Sequence, residues 1–232
     1  MAPNMDTRKT VVGGRRIRSI VVGLGMTLVL GAPVAAAPLS ESRFFERGHQ
    51  ASAHRGVCRT APDSDITTCR SLSVQVFSGR RGGTDPATRF RGHDISVSKG
   101  RHKENHVTGQ ILGSRSENGH VANSESLLVR FDRIRGATVE GTIRVRVQSC
   151  DRRGECVDSH RRMTLDLAWT ARPGPASDSF TYFRYSDDGC ETTHTDTRRG
   201  RRARTVGQVD TDDVRMRGWL ISTDVLRTQV CQ

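Results

Sequence analysis

Lysine is nearly absent from this chain. Of 37 basic residues only Lys9, Lys99 and Lys103 are lysines, and the rest are arginines. The bias points first to a G+C-rich genome and only then to chemistry, since a guanidinium fork suits carboxylate and phosphate recognition. Aromatic side chains make up 5% of the chain, so a core has to be built mainly from Val, Leu and Ile. Beyond the N-terminal region no stretch of ten residues keeps a 3.6-residue apolar period, which excludes a helical fold. Without helices, a glycine-rich phosphate cradle leading into a helix is excluded as well. No G-x-S-x-G and no C-x-x-C pair is present, which argues against a serine-hydrolase elbow and a structural zinc site.

What is present is alternation. Ile143, Val145 and Val147 alternate with Arg144, Arg146 and Gln148, and Met163, Leu165, Leu167 and Trp169 alternate with Thr164, Asp166 and Ala168. Period 2 on both arms means two strands with one face in a core and one in water. Between them, Cys150-Asp151-Arg152-Arg153-Gly154-Glu155-Cys156 is a polar loop with a cysteine at each end. The stretch Val139 to Trp169 therefore reads as a hairpin clamped by a disulfide.

Residues 1–37 read as a signal peptide. Arg8, Lys9, Arg15, Arg16 and Arg18 form a basic segment, an apolar run follows from Ile20, and Val34-Ala35-Ala36-Ala37 offers small residues for cleavage. Arg18 occupies a position where a twin-arginine signal wants an apolar residue, so general secretion is expected. Removing this segment lowers the formal charge from +12 to +8. No second apolar run of membrane length follows, so no membrane association is expected after cleavage. Six cysteines remain: Cys58, Cys69, Cys150, Cys156, Cys190 and Cys231. An even number in an exported chain argues for three disulfides. Of 15 possible connectivities, spacing favours Cys58–Cys69, Cys150–Cys156 and Cys190–Cys231.

Taken in order, residues 38–57 read as a flexible leader or edge segment. Strands follow at Leu72–Phe77, Phe90–Val97, Val107–Leu112 and Leu127–Ile134, with charged or polar loops at Lys99–Asn105 and Ser114–Asn123. After the clamped hairpin, Pro173-Gly174-Pro175 breaks the chain, Phe180 to Tyr185 is an aromatic-rich strand, and Arg198 to Arg204 reads as a basic loop or hairpin tip. Many short strands separated by turn residues indicate an all-β fold, an antiparallel β-sandwich of immunoglobulin-like or similar type, over residues 58–232. Arg133-Ile134-Arg135-Gly136 before Cys150 and Arg215-Met216-Arg217-Gly218 before Cys231 suggest an internal duplication, with halves 58–150 and 151–232.

The series formed by Cys150-x5-Cys156, the strand Met163 to Thr170, a Gly/Pro break, Asp187-Asp188-Gly189-Cys190 and a terminal Cys231 resembles a group of uncharacterised secreted β-sandwich proteins of G+C-rich actinobacteria. The resemblance spans Leu72 to Cys231. It implies the fold and the paired cysteines, and brings no activity or catalytic residue with it.

Candidate chemistry is sparse. His102 and His106 are four residues apart, and His93 adjoins Asp94; a His/Asp site built from these four would serve a secreted hydrolase. Solvated loop histidines are the simpler reading, with no metal and no cofactor. Trp169 and Trp219 both sit in apolar strands and are expected in the core, which weakens a carbohydrate-binding platform. The sharpest local feature is the group Arg198, Arg199, Arg201, Arg202 and Arg204, five arginines in seven residues. It would hold an anionic envelope polymer by charge. With no aromatic interleaved and no base-reading motif, sequence-specific nucleic acid is not expected. The expected protein is a secreted, non-catalytic structural or binding module.

Overall fold

Ten strands carry the chain. They are β1 (Ser40–Thr60), β2 (Ile66–Gly83), β3 (Phe90–Asn105), β4 (Gln110–Ala122), β5 (Leu127–Asp132), β6 (Gly136–Cys150), β7 (Cys156–Ala171), β8 (Ser177–Asp187), β9 (Cys190–Val209) and β10 (Asp212–Cys231). The computed structural model describes residues 40–231, so the signal-peptide reading of residues 1–37 lies outside the described residues. Apart from a three-residue 3-10 turn at Pro86–Thr88, the regular structure of the described residues is antiparallel β-strand.

Consecutive strands are neighbours, with two side branches: β5 pairs with β6 and β8 pairs with β9. β10 bonds to β1 along one edge and to β9 along the other. The ladder β1-β2-β3-β4-β6-β7-β9-β10 thus closes on itself, and one continuous antiparallel sheet encloses a sandwich-like core. Closure removes most of the free edges that an open sheet exposes.

The clamped hairpin is present in the expected register, with Ile143 opposite Met163 and Cys150 opposite Cys156. All three disulfides have the expected pairing, Cys58–Cys69, Cys150–Cys156 and Cys190–Cys231. Each joins two directly opposed residues, with Cα atoms 4.0 Å apart. The core is aliphatic. Val74, Val76, Ile95, Val139, Ile143, Val145, Met163, Leu165 and Leu167 are buried, and Trp169 is its large aromatic.

Two sequence expectations are corrected. From Ser40 on, the stretch expected at 38–57 is not a flexible leader: β1 lies between β2 and β10 and pairs with both. Its inward positions there are Ala51 and Ala53, too small to register as an apolar alternation. Ser114–Asn123 and Lys99–Asn105 are not loops but parts of β4 and β3. The inward face of β4 carries Glu117 and Gly119, and Gly119 has no room for a side chain because Val145 Cγ1 would stand 2.7 Å from its Cβ. The described residues 40–231 form one compact unit. Within it the repeated Arg-x-Arg-Gly segments differ in setting: Arg133 to Arg135 form a turn, whereas Arg215 to Gly218 lie within β10.

Candidate functional site

The five clustered arginines are in the body of β9, not at a hairpin tip. Strand alternation divides them. Arg199 and Arg201 share the phase of the buried Ala203 and Thr205, while Arg198, Arg202 and Arg204 share the opposite phase. Arg198 is held by Asp196 at 2.8 Å, and Arg199 lies 3.4 Å from Asp178. Arg201 has its Nε buried. Arg202 and Arg204 are exposed, and among the described residues neither has a carboxylate within salt-bridge reach.

Register then brings partners from other strands. Arg202 stands opposite Trp219 on β10, which stands opposite Ser52 on β1, which stands opposite Gln75 on β2. The next row out is Arg204, Arg217, His54 and Ser73. The Arg202 guanidinium carbon lies 5.7 Å from the centre of the Trp219 ring, within cation–π range. Arg172 joins them where its backbone N–H donates to the Arg202 carbonyl at 2.8 Å. Of these, all but Arg204 line an outward groove of about 630 Å³. The floor depends on Gly218: a Cβ there would lie 1.8 Å from the Ser52 carbonyl oxygen, so only glycine lets β10 and β1 approach this closely.

Trp219 is thus 40% exposed rather than in the core. Trp169 is in the core as expected, donating its indole N–H to the Ser52 carbonyl at 3.1 Å. In the run Trp219-Leu220-Ile221 all three residues are apolar, so the local pattern did not say which phase points inward. Met216 and Leu220 take the inner phase, and Trp219 is left outside.

The suggested His/Asp site is not assembled. His93 and Asp94 are adjacent on β3 and project to opposite faces. Asp94 binds Arg81 at 2.7 Å and His120 at 2.6 Å. His102 lies nine residues along the same strand from His93, roughly 30 Å away at a strand's rise. Its imidazole adjoins Glu104 at 3.8 Å and Cys69. The Cys69 sulfur is bonded to Cys58, so it offers no thiolate to a metal. His106 belongs to the turn beyond β3, where its N–H donates to the Asp65 carbonyl. Two adjacent-aspartate pairs, Asp187-Asp188 and Asp212-Asp213, sit in turns and ladders: Asp188 takes a positive φ, Asp212 holds Lys99 at 2.9 Å, and Asp213 accepts from Gln208.

A charged cluster that sequence reasoning missed closes one end of the core. Glu117, whose side chain is 7% exposed, accepts from Arg161 and from Arg115 at 2.9 Å. Arg161 also binds Asp210 at 2.7 Å, and Lys99 bridges toward Asp210 and Asp212. Burial pushes the Glu117 carboxyl upward, but the Arg161 and Arg115 hydrogen bonds outweigh it and hold the group below its ordinary value. Asp210 is likewise lowered: burial opposes, and the hydrogen bonds from Arg161 and the Thr164 N–H prevail. The available signal was Arg161 itself, an arginine in the inward phase of Met163 and Leu165.

No protein-family model, no curated protein and no solved structure matches this chain.

Proposed function

We propose that this protein is an exported, non-catalytic binding module that holds anionic polymers in the groove formed by Arg172, Arg202, Arg217 and Trp219, with Arg204 beside Arg217 at its margin. The observation that carries this reading is the grouping in one groove of an exposed tryptophan and three arginines, Arg172, Arg202 and Arg217, that have no carboxylate partner among the described residues. Elsewhere the arginines of this sheet are often neutralised, as Arg146 is by Asp158 and Arg184 by Glu191. Unneutralised guanidinium groups bind carboxylate or phosphate through paired N–H donors and release condensed counterions from the polymer. Phosphate contacts carry no base information, so binding to nucleic acid would be indifferent to sequence. Export is supported by the basic and apolar N-terminal segment and by three disulfides, which persist in oxidising compartments. No helix among the described residues is long and apolar enough to cross a membrane.

The test compares two variants on duplex DNA across a salt series. In the triple variant Arg202→Ser, Arg204→Ser, Arg217→Ser, the slope of log K against log salt should become shallower by about 3, one unit per lost contact. The double variant Arg198→Ser, Arg199→Ser removes charge from the same run outside the groove and should leave the slope within about one unit of the parent. Equal losses per arginine in the two variants would mean diffuse charge and no groove.

A further inference from the structure

We infer that the polymer recognised by this groove is an acidic glycan, laid across the sheet from β9 to β4 with its charged unit at the arginines and its hydroxyls on an uncharged polar track. The inference rests on the binding reading above and names the ligand class. A second hollow, of about 390 Å³, adjoins the arginine groove, and the two share Ser73 and Gln75. Register continues both rows. Gln75 stands opposite Ser96 and then His120, and Ser73 stands opposite Ser98 and then Asn118. Six strands at about 4.8 Å spacing give a track of roughly 24 Å.

The chemistry changes along the track. At its β9 and β10 end it presents Arg202 beside the Trp219 ring, with Arg217 and Arg204 opposite one another in the adjoining row. From β1 onward the outward side chains of the two rows are Ser52, Ser73, Gln75, Ser96, Ser98 and Asn118 with two imidazoles, His54 and His120, and no arginine, lysine or carboxylate stands among them. Outward positions elsewhere are heavily charged: Glu140, Arg144, Arg146, Asp158 and Asp166 occupy the exposed phase of β6 and β7. Of the residues lining the second hollow, His120 is held by Asp94, while the serine, asparagine and glutamine groups make no side-chain hydrogen bond among the described residues.

A nucleic acid or polyphosphate is charged at every repeat and would leave this uncharged half without a counterpart. A chain of sugar rings with intermittent carboxylates meets both halves. Hydroxyl groups pair with serine, asparagine and glutamine, which donate and accept. Short serine side chains lose little rotamer freedom on binding. The exposed indole offers an apolar face for the C–H side of a ring, with Arg202 beside it to take a carboxylate.

The experiment measures affinity of the full secreted chain for three probes: hyaluronan, with a uronate at alternate sugars, inorganic polyphosphate and neutral dextran. The parent should bind hyaluronan more tightly than polyphosphate of equal charge, and dextran weakly. Gln75→Ala with Asn118→Ala should weaken hyaluronan about tenfold and leave polyphosphate unchanged, whereas Arg202→Ser with Arg217→Ser should weaken both. Unfolding midpoints matching the parent show that each variant is folded. Should the alanine pair not fold, Asn118→Glu alone serves, repelling the glycan at the end remote from the arginines. Binding of polyphosphate without hyaluronan overturns the glycan inference and leaves the polyanion reading intact. Binding of neither overturns both. Hyaluronan affinity that survives the uncharged-track variants also overturns it, because the track would then take no part.

Discussion

Trp169 and Trp219 have the same side chain, both lie in strands, and they serve opposite ends. Trp169 is 2% exposed and satisfies its N–H on Ser52 across the core. Truncating it removes a large packed volume and leaves a cavity, for which Trp→Ala costs typically 3–5 kcal/mol. Trp219→Ala removes a half-exposed ring and should cost about 1 kcal/mol or less, while weakening hyaluronan or heparin binding several-fold. Urea unfolding of the two variants, set beside their binding curves, checks the assignment. A large stability loss at Trp219 would mean that its ring is part of the packing and that the groove has been misplaced.

At the scale of the element, the hairpin β6–β7 was legible because each arm is half buried and strictly alternating. β1 and β4 were not, for a definite reason. Their inward positions carry Ala51, Ala53, Glu117 and Gly119, so burial there leaves no apolar period in the sequence. β9 misled for a related reason: its arginines occupy both phases of the strand, and a stretch charged on both faces reads as loop. The disulfides were legible from spacing, and they make a ranked prediction. The 41-residue separation of Cys190 and Cys231 constrains the unfolded chain more than the 6-residue separation of Cys150 and Cys156. On the loop-entropy estimate, replacing both cysteines of a pair by Ser should cost about 4 kcal/mol for the first and about 2.4 kcal/mol for the second. Guanidinium unfolding of the two double variants measures the difference. A reversed order would place the stabilisation in local packing around Cys150 rather than in chain entropy.

At the scale of the whole molecule, the Glu117–Arg161–Asp210 cluster closes one end of a core that the rest of the ring fills with aliphatic side chains. Both carboxylates are held below their ordinary values in the folded state. Their contribution is therefore fully present above the unfolded carboxylate range, near pH 4, and is lost as pH falls through the lowered folded values. The unfolding temperature should be flat from about pH 7 to 8, decline gently below about pH 6.5, where burial and Arg133 oppose protonation of His49, and drop more steeply below about pH 4. Glu117→Gln should make that acid limb shallower. At neutral pH it should cost more than the roughly 1 kcal/mol of an exposed pair and less than the 3–5 kcal/mol of a fully buried one, since Arg161 is 30% exposed. An acid limb of the same steepness in parent and variant would place the titrating groups elsewhere.

The sequence by itself determined the all-β class, the clamped hairpin and the cysteine pairing, because period-2 burial and short cysteine separations are properties of adjacent residues. Tertiary structure alone decided that the sheet closes, which face Trp219 takes and which of the clustered arginines share a surface. The groove needs Arg202, Trp219, Ser52 and Gln75 side by side, and these come from four strands spread over 168 positions of the chain, from 52 to 219. Neighbours of that kind are set by strand register, and register follows from which faces bury together in the closed sheet, not from any stretch read alone.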